Sequence, residues 1–139
     1  LRVDAARLGF AFGMAVAPDG TLYFTDVNAS RTRSVLRTIA PDGTVATVDA
    51  DWTPGQPAKV WVDPANVVFV TGFMNGTVLR MSPDGTVTIL AGETDSGAYR
   101  DGPGDVARLN GPLGIAGNDA GMLYVADTES ATLRTVTCP

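Results

Sequence analysis

The sequence predicts an all-β protein assembled from three copies of one structural unit. Three observations indicate this: one segment recurs, the tripeptide Pro-Asp-Gly returns between short apolar runs, and no window has the apolar spacing of an amphipathic helix. The 16 glycines and 9 prolines are spread along the 139 residues, which is typical of many short strands joined by turns.

The repeat is clearest between the two ends of the chain. Residues 4–15 return as residues 105–116, and with the same shift Asp26 corresponds to Asp127 and Arg33 to Arg134. A middle copy is marked by residues 64–71, which correspond to residues 18–25. The copies follow one another at roughly 45–55 residues, which is in the range of propeller blades.

Each copy has the same pattern of turns and strands. Pro-Asp-Gly stands at 18–20, 41–43 and 83–85, where proline fixes the first turn torsion and glycine adopts the left-handed conformation that closes a hairpin. The second strand of each copy is apolar on both faces, so it must be covered on both sides. The predicted strands are innermost strands near 13–17, 58–63 and 113–117, second strands near 21–26, 67–72 and 122–127, third strands near 33–40, 77–82 and 131–137, and outer strands near 44–49 and 86–91.

These features predict a single partial β-propeller with three four-stranded blades at approximately 8–50, 51–108 and 109–139. The third blade is expected to lack its outer strand. Closed propellers have about 4–8 blades, so three blades form roughly half of a six-bladed ring.

A family resemblance rests on residues of the third copy. The run 101–116, followed by Gly121-Met-Leu-Tyr-Val-Ala-Asp127 and Leu133-Arg134, resembles an NHL repeat, although Gly72 replaces the usual aspartate in the second copy. Residues 18–26 are also similar to gluconolactonase/regucalcin-like and strictosidine-synthase-like propellers. The resemblance implies a ring closed by six blades and a recognition platform for proteins or other ligands.

Half a ring leaves the outward faces of its first and last blades uncovered. Large apolar patches are rare on soluble monomers unless they bind something. We therefore expect a homodimer in which a second copy completes the ring, or the rest of a longer chain that does so. In the dimer, the missing outer strand is predicted to come from Leu1 to Ala5 of the second copy.

Charge and composition disfavour several partners. Fifteen acidic and ten basic residues give a net charge of −5, and Lys59 is the only lysine, which argues against nucleic acid and against anionic membrane surfaces. No apolar run approaches the roughly 18 residues that cross a bilayer. The segment Leu1-Arg2-Val3-Asp4 is unlike a signal peptide, and a cytoplasmic and an extracytoplasmic location both stay open. The excess of arginine over lysine is typical of high-GC bacteria.

The numbers of histidine and cysteine residues restrict the enzymatic chemistry that this chain can perform. The chain has no histidine, which removes Ser-His-Asp and Cys-His nucleophilic sites and His-ligated zinc. Cys138 is the only cysteine, so no intrachain disulfide forms. We therefore expect no catalytic residues and no required cofactor. Calcium is the one ion considered, with ligands expected from the oxygen-bearing side chains of Asp26, Asn28, Asn75 and Glu129.

Polar residues that recur in the repeat are expected to bond within their own blades. These are Asp26, Asp127, Arg33, Arg134, Arg7 and Arg108. Residues that break the repeat are the candidates for ligand binding, because a ligand needs only one site. They are Asn28, Arg31, Trp52, Phe73, Asn75, Tyr99, Arg100 and Glu129, whereas Trp61 is expected to pack in its own strand.

The sequence thus favours a binding or interaction module that uses loops on one rim of the central channel, with a protein or a small molecule as ligand. Two alternatives remain open. One is a metal-dependent hydrolase or lactonase resembling gluconolactonase, and the other is a structural fragment of a larger propeller protein.

Overall fold

A computed structural model of the chain describes residues 8–53, 55–94 and 99–137. Within these ranges eleven strands and two short 3-10 helices follow one another in sequence. The strands are β1 (Phe10–Val16), β2 (Leu22–Val27), β3 (Ser34–Ile39), β4 (Val45–Thr47), β5 (Lys59–Val62), β6 (Val68–Gly72), β7 (Thr77–Met81), β8 (Val87–Gly92), β9 (Pro112–Gly117), β10 (Met122–Asp127) and β11 (Thr132–Thr137). The 3-10 helices are Phe73–Asn75 and Thr128–Ser130.

The strands form three antiparallel sheets, each a meander in chain order. Blade 1 is β1-β2-β3-β4, blade 2 is β5-β6-β7-β8, and blade 3 is β9-β10-β11. The innermost strands β1, β5 and β9 contact one another in succession, so the sheets are arranged around a common side. This confirms the predicted all-β partial propeller, including a third blade that has no outer strand within the described residues.

The expectations for Leu1 to Ala5, Arg7 and Cys138 lie outside the described residues. Within the described part of the chain, no helix is long and apolar enough to cross a membrane.

Apolar faces of neighbouring blades form the core. Leu36 and Ala17 of blade 1 pack with Val60, Val62 and Val70 of blade 2. The opposite face of blade 2 packs on blade 3, where Phe69 and Val67 meet Leu123. Blade 2 is therefore covered on both sides, as its second strand requires, and Val68 and Val70 have no exposed surface.

A buried threonine hydroxyl links each blade to the next. The Oγ1 of Thr25 accepts a hydrogen bond from Gly13 N (2.9 Å) in its own blade and donates one to Ala58 O (2.8 Å) of blade 2. Thr71 repeats the arrangement, because its Oγ1 accepts from Lys59 N (3.2 Å) and donates to Leu113 O (2.8 Å) of blade 3. Each hydroxyl satisfies two backbone groups at a junction between blades.

The Pro-Asp-Gly turns lie together at one end of the sheets and use one side-chain bond repeatedly. The aspartate carboxylate accepts the N–H of the residue two positions later, as in Asp84 Oδ1 with Thr86 N (2.9 Å). The closing glycines Gly20, Gly43 and Gly85 have φ of 86°, 90° and 87°. A residue with a side chain is disfavoured there, which confirms the predicted turn geometry.

We predict that Thr71→Val lowers the free energy of unfolding by about 1–3 kcal/mol, because the partly buried groups Lys59 N and Leu113 O lose the hydroxyl that bonds them, without a large change in side-chain volume. Urea unfolding followed by tryptophan fluorescence measures the change. Thr88→Val on the exposed part of β8 is the control and should change stability by less than about 0.5 kcal/mol. Equal effects of the two substitutions would contradict the role of the hydroxyl.

We also predict a local acid sensitivity of the turns. The N–H of Thr86 donates to Asp84 and lowers the pKa of its carboxyl below the usual value, with a smaller contribution from the Thr86 side chain. A lowered pKa stabilises the turn above the ordinary carboxyl range, and this contribution is lost as the pH falls through the pKa of the folded state. The Thr86 amide shift should therefore titrate in an NMR pH series. The Met122 amide, which donates to the neutral amide oxygen of Asn118, provides the comparison.

Candidate functional site

Hairpin loops and blade connections meet at the end of the sheets opposite the Pro-Asp-Gly turns. This end, called the rim below, comprises residues 28–33, 73–76 and 128–131 between second and third strands, and the connections 48–58 and 93–111 between blades, within the described residues. The two kinds of loop bond to each other. Gln56 Nε2 donates to Thr32 O (3.2 Å), and Glu129 N donates to Asn110 O (3.1 Å).

The recurrent aspartates hold the segments that lead into their blades. Asp26 Oδ1 accepts from Gly9 N (2.8 Å), and its Oδ2 pairs with Arg37 Nη1 (3.0 Å). Asp127 Oδ1 accepts from Asn110 N (2.7 Å). The prediction that these carboxylates bond within their own blades is confirmed.

The prediction that Arg33 matches Arg134 is wrong. In the strand register Arg37 lies opposite Phe24, and Arg134 lies opposite Val125, so Arg37 is the equivalent of Arg134. Arg33 lies in the loop before β3 and is exposed. The hairpin of blade 1 is longer than that of blade 3, and a constant shift along the sequence does not account for the extra loop residues.

Blade 2 replaces the ion pair with apolar packing. Gly72 stands at the aspartate position and Leu79 at the arginine position. A Cβ on Gly55, the equivalent of Gly9, would lie 2.7 Å from Leu79 Cδ1, and one on Gly72 would lie 2.6 Å from Thr77 Oγ1. The three residues fit one another, so the departure from the NHL pattern in this copy is a concerted change.

The guanidinium of Arg134 bonds to several groups at the rim end of blade 3. Its Nη1 donates to Arg108 O (3.2 Å) and pairs with the fully buried Asp127 (3.4 Å). Its Nη2 donates to Arg100 O (2.9 Å) and to Asp101 Oδ1 (2.6 Å). The guanidinium also lies 4.9 Å from the ring centre of Tyr99. One side chain thus fixes the connection between blades 2 and 3.

Of the candidates in blade 1, Asn28 builds the loop and Arg31 projects from it. Asn28 Oδ1 accepts from Thr32 N (2.9 Å) and Arg33 N (3.1 Å). Arg31 adopts a positive φ of 57°, and its guanidinium lies 5.4 Å from the ring centre of Phe10. Both Arg31 and Phe10 are exposed.

Two other candidates, Phe73 and Glu129, come together over Gly111. A Cβ on Gly111 would lie 2.7 Å from Glu129 Cγ and 3.1 Å from Phe73 Cε2. Gly111 also has a φ of 66°, so a larger residue there is disfavoured twice. Asn75 is half-buried in the same loop as Phe73, and Met74 between them is exposed. Sequence analysis passed over Met74 and Gly111, and no repeat signal marks either.

Trp52 belongs to the junction of blades 1 and 2 rather than to an open surface. Its side chain packs with Leu36 and Leu79, and its Nε1 is buried with no acceptor. It lines a groove of about 530 Å³ that Arg33 and Gln56 also border. Trp61 packs on Phe69 at 5.5 Å between ring centres, as expected.

Two of the four side chains expected to bind calcium are already engaged in other bonds. Asp26 and Asn28 already use their oxygens for bonds within blade 1. Among the described residues, no three carboxylate, cysteine or histidine side chains lie close enough together to hold a metal ion. At Asn28 a calcium ion would compete with the two N–H groups that position the loop.

Sequence comparison relates the chain to a small part of a much longer protein. No protein-family model matches the chain. The sequence is 28% identical over 157 residues to Teneurin-m of Drosophila melanogaster, a match that covers 94% of this chain and 6% of that protein.

Three solved structures share the architecture. A protein of unknown function from Bacteroides thetaiotaomicron has a TM-score of 0.79 at 20% identity, over 97% of this chain and 38% of its own. An auxiliary nutrient binding protein from Bacteroides thetaiotaomicron has 0.68 at 20%, over 90% and 33%. A gluconolactonase from Xanthomonas campestris has 0.64 at 19%, over 96% and 39%. The chain therefore has the fold of part of a β-propeller and spans well under half of each of these proteins.

We predict that Arg134→Lys loosens the connection between blades 2 and 3 and lowers the free energy of unfolding by about 1–3 kcal/mol, because an ammonium group cannot reach two carboxylates and two carbonyls at once. Urea unfolding and limited proteolysis within 99–111 measure the effect. Arg33→Lys in the exposed loop is the matched control. Unchanged proteolysis of the Arg134 variant would contradict this role.

Proposed function

We propose that this chain is a non-catalytic binding module of the NHL type, which recognises a protein partner through the rim. The proposal is supported best by a difference between two sets of rim residues, those that hold the loops in place and those that remain exposed. Many polar groups of the loops bond to one another, and the side chains left exposed include aromatic residues, methionine and arginine, which are the kinds that dominate protein interfaces.

The exposed contact residues are spread over blades 1 and 2 and the connection to blade 3. Phe10 and Arg31 project from blade 1, Met74 from blade 2, and Tyr99 from the connection to blade 3. Met74 is 78% exposed. Contacts of this kind suit a broad partner surface better than a small molecule, which binds in an enclosed cavity.

The loops that present these side chains are held in place. Asn28 fixes the loop 28–33, Arg134 fixes the connection 99–110, and Gly111 seats Phe73 against Glu129. A surface that is already ordered loses less conformational entropy on binding. The rim is therefore suited to recognition without folding on contact.

The rim carries charges of both signs. The exposed arginines Arg31, Arg33 and Arg100 lie there together with exposed carboxylates, which are those of Asp49, Asp51, Glu93, Asp101, Asp105 and Glu129. Interspersed charges of this kind select a partner by the charge pattern around its apolar patch. The oxygens of Asp26 and Asn28 are engaged in bonds within blade 1, which favours a binding module over a metal-dependent enzyme.

Peptide selection tests the proposal. A random phage-displayed peptide library is selected against the immobilised chain, and calorimetry then measures the affinity of the selected peptides. We expect peptides rich in apolar residues, whose affinity falls about tenfold or more with Met74→Asp or Arg31→Glu. Thr88→Glu, on an outer strand away from the rim, is the control and should leave affinity unchanged. Peptides that are insensitive to both rim variants, or no binding peptides at all, would contradict the proposal.

An enzymatic assay tests the alternative. Hydrolysis of D-glucono-δ-lactone is followed with calcium or zinc and after chelation, in the wild type and in Asn75→Ala and Glu129→Ala. We expect no hydrolysis above the uncatalysed rate. Metal-dependent turnover that both substitutions abolish would overturn the proposal in favour of a lactonase.

A further inference from the structure

The outer strand of blade 1 covers only part of the third strand. β4 pairs with residues 37–39 of β3, and one further hydrogen bond, from Val48 N to Leu36 O (2.9 Å), ends the contact. β3 itself extends to Ser34. In blade 2, by contrast, β8 pairs with the whole of β7, from Met81 to Thr77. The part of β3 nearest the rim is therefore an edge that no strand of the described chain covers.

The connection 48–58 leaves a groove beside this edge. The connection departs from β3 at Val48 and returns where Gln56 Nε2 donates to Thr32 O (3.2 Å) and Ser34 Oγ donates to Pro57 O. Between these two points lies the groove of about 530 Å³ that Ser34 and residues of the connection line. It is called the edge groove below. Its volume is in the range of ligand sites, which measure about 300–1,000 Å³.

The backbone of Ser34 faces the edge groove. Alternate residues of an antiparallel strand direct their N–H and C=O groups to the same edge. Thr32 O and Leu36 O, two residues to either side of Ser34, are bonded to the two ends of the connection. The N–H and C=O of Ser34 lie between them on that edge, and no hydrogen bond joins them to the connection in the described part of the chain. The edge groove thus offers a donor and an acceptor that can pair with another strand.

Blade 2 shows what occupies the equivalent place there. Leu36 and Val78 have the same position in the strand register, so Gly76 is the equivalent of Ser34. The end of β8 lies directly against this residue, because a Cβ on Gly92 would overlap Gly76 O. In blade 2, extended backbone of the chain itself therefore fills the place that the edge groove leaves open in blade 1.

The walls of the edge groove suit a peptide with an apolar side chain. Val35, Val48, Ala50 and Trp52 line it. Trp52 is 9% exposed, and its Nε1 is buried with no acceptor among the described residues. A buried donor without an acceptor is destabilising, and a carbonyl oxygen bound at this wall would give it one. The lining therefore combines apolar surface with an unused hydrogen-bond donor.

We propose that the edge groove binds an extended segment of the protein partner, as a strand that continues the line of β4 along β3. The N–H and C=O of Ser34 pair with the main chain of the segment, and an apolar side chain of the segment packs on Val48 and Trp52. In this mode of recognition main-chain bonds supply affinity and the side-chain wall supplies selectivity. The inference rests on the proposed function in that the ligand is a protein, and it adds a contact separate from the exposed side chains of the rim.

An NMR titration with the blocked peptide acetyl-Leu-Ala-Gly-Glu-amide tests the inference, since residues 90–93 fill the equivalent place in blade 2. We expect saturable shifts of the Ser34 and Ala50 amides and a slowing of Ser34 amide exchange by about tenfold or more. The Thr38 amide, which is already paired with β4, should not change. Methylation of the alanine or the glycine nitrogen of the peptide should weaken binding unequally, by about tenfold in one case, because only alternate N–H groups pair. No saturable shift of Ser34 up to about 10 mM peptide, or equal effects of the two methylations, would overturn the inference.

Variants of the chain separate the edge groove from the rest of the rim. Thr47→Trp places a large side chain at the edge groove and should weaken binding of this peptide about tenfold or more, whereas Ala46→Trp, at an exposed residue that does not line the groove, is the matched control. Met74→Asp should leave this peptide unaffected. Equal effects of the two tryptophans would overturn the inference. Phage-selected peptides that depend on Met74 or Arg31, together with no binding in the edge groove, would overturn the inference and leave the proposed function standing, and the reverse result would overturn the proposed rim contacts alone.

Discussion

The packing of one sheet on the next is the constraint on which the rest of this structure depends. The second strand of each blade is apolar on both sides, so a blade alone cannot shield its own residues from water. Blade 2 has a neighbour on each side, and Val68, Val70 and Val78 are fully buried there. In the described part of the chain blades 1 and 3 have one neighbour each, and side chains of their outward faces such as Met14 and Leu133 are exposed. Each junction adds the same directional bond, from a threonine hydroxyl to the carbonyl of the next blade.

The rim is a consequence of this packing. In a meander of four strands, the loops between second and third strands and the connections between blades must lie at the same end. The sequence places Asp26, Arg37, Asp127 and Arg134 to tie those loops to the sheets. Because recurrent polar residues are occupied in this way, we propose that recognition uses side chains that break the repeat.

The repeat made most of the fold predictable. Pro-Asp-Gly at three places and the doubly apolar second strands were enough to order the strands and to predict a third blade without an outer strand. The match of Arg33 to Arg134 failed for a physical reason: hairpins of different length shift the third strand relative to the second, and only the register of hydrogen bonds identifies Arg37 as the partner of Asp26.

The candidate site was predictable only in part. Phe73 and Glu129 meet at the rim, but their proximity depends on Gly111, whose role requires its positive φ to be known. Trp52 was expected among exposed binding residues, and it lies instead in the core between blades 1 and 2, because the connection folds back over the junction. Burial of a single aromatic residue in a loop has no periodic pattern from which to predict it.

The central claim, that each blade depends on a neighbour to cover its apolar face, is tested most directly by urea unfolding of two matched variants. Val60→Asp places a charge in the junction of blades 1 and 2, where Val60 is 5% exposed, and Met14→Asp places one at the equivalent position of blade 1, where Met14 is 66% exposed. We expect Val60→Asp to lower the free energy of unfolding by about 3 kcal/mol or more, and Met14→Asp to lower it by less than about 0.5 kcal/mol. Equal losses in the two variants would contradict the account.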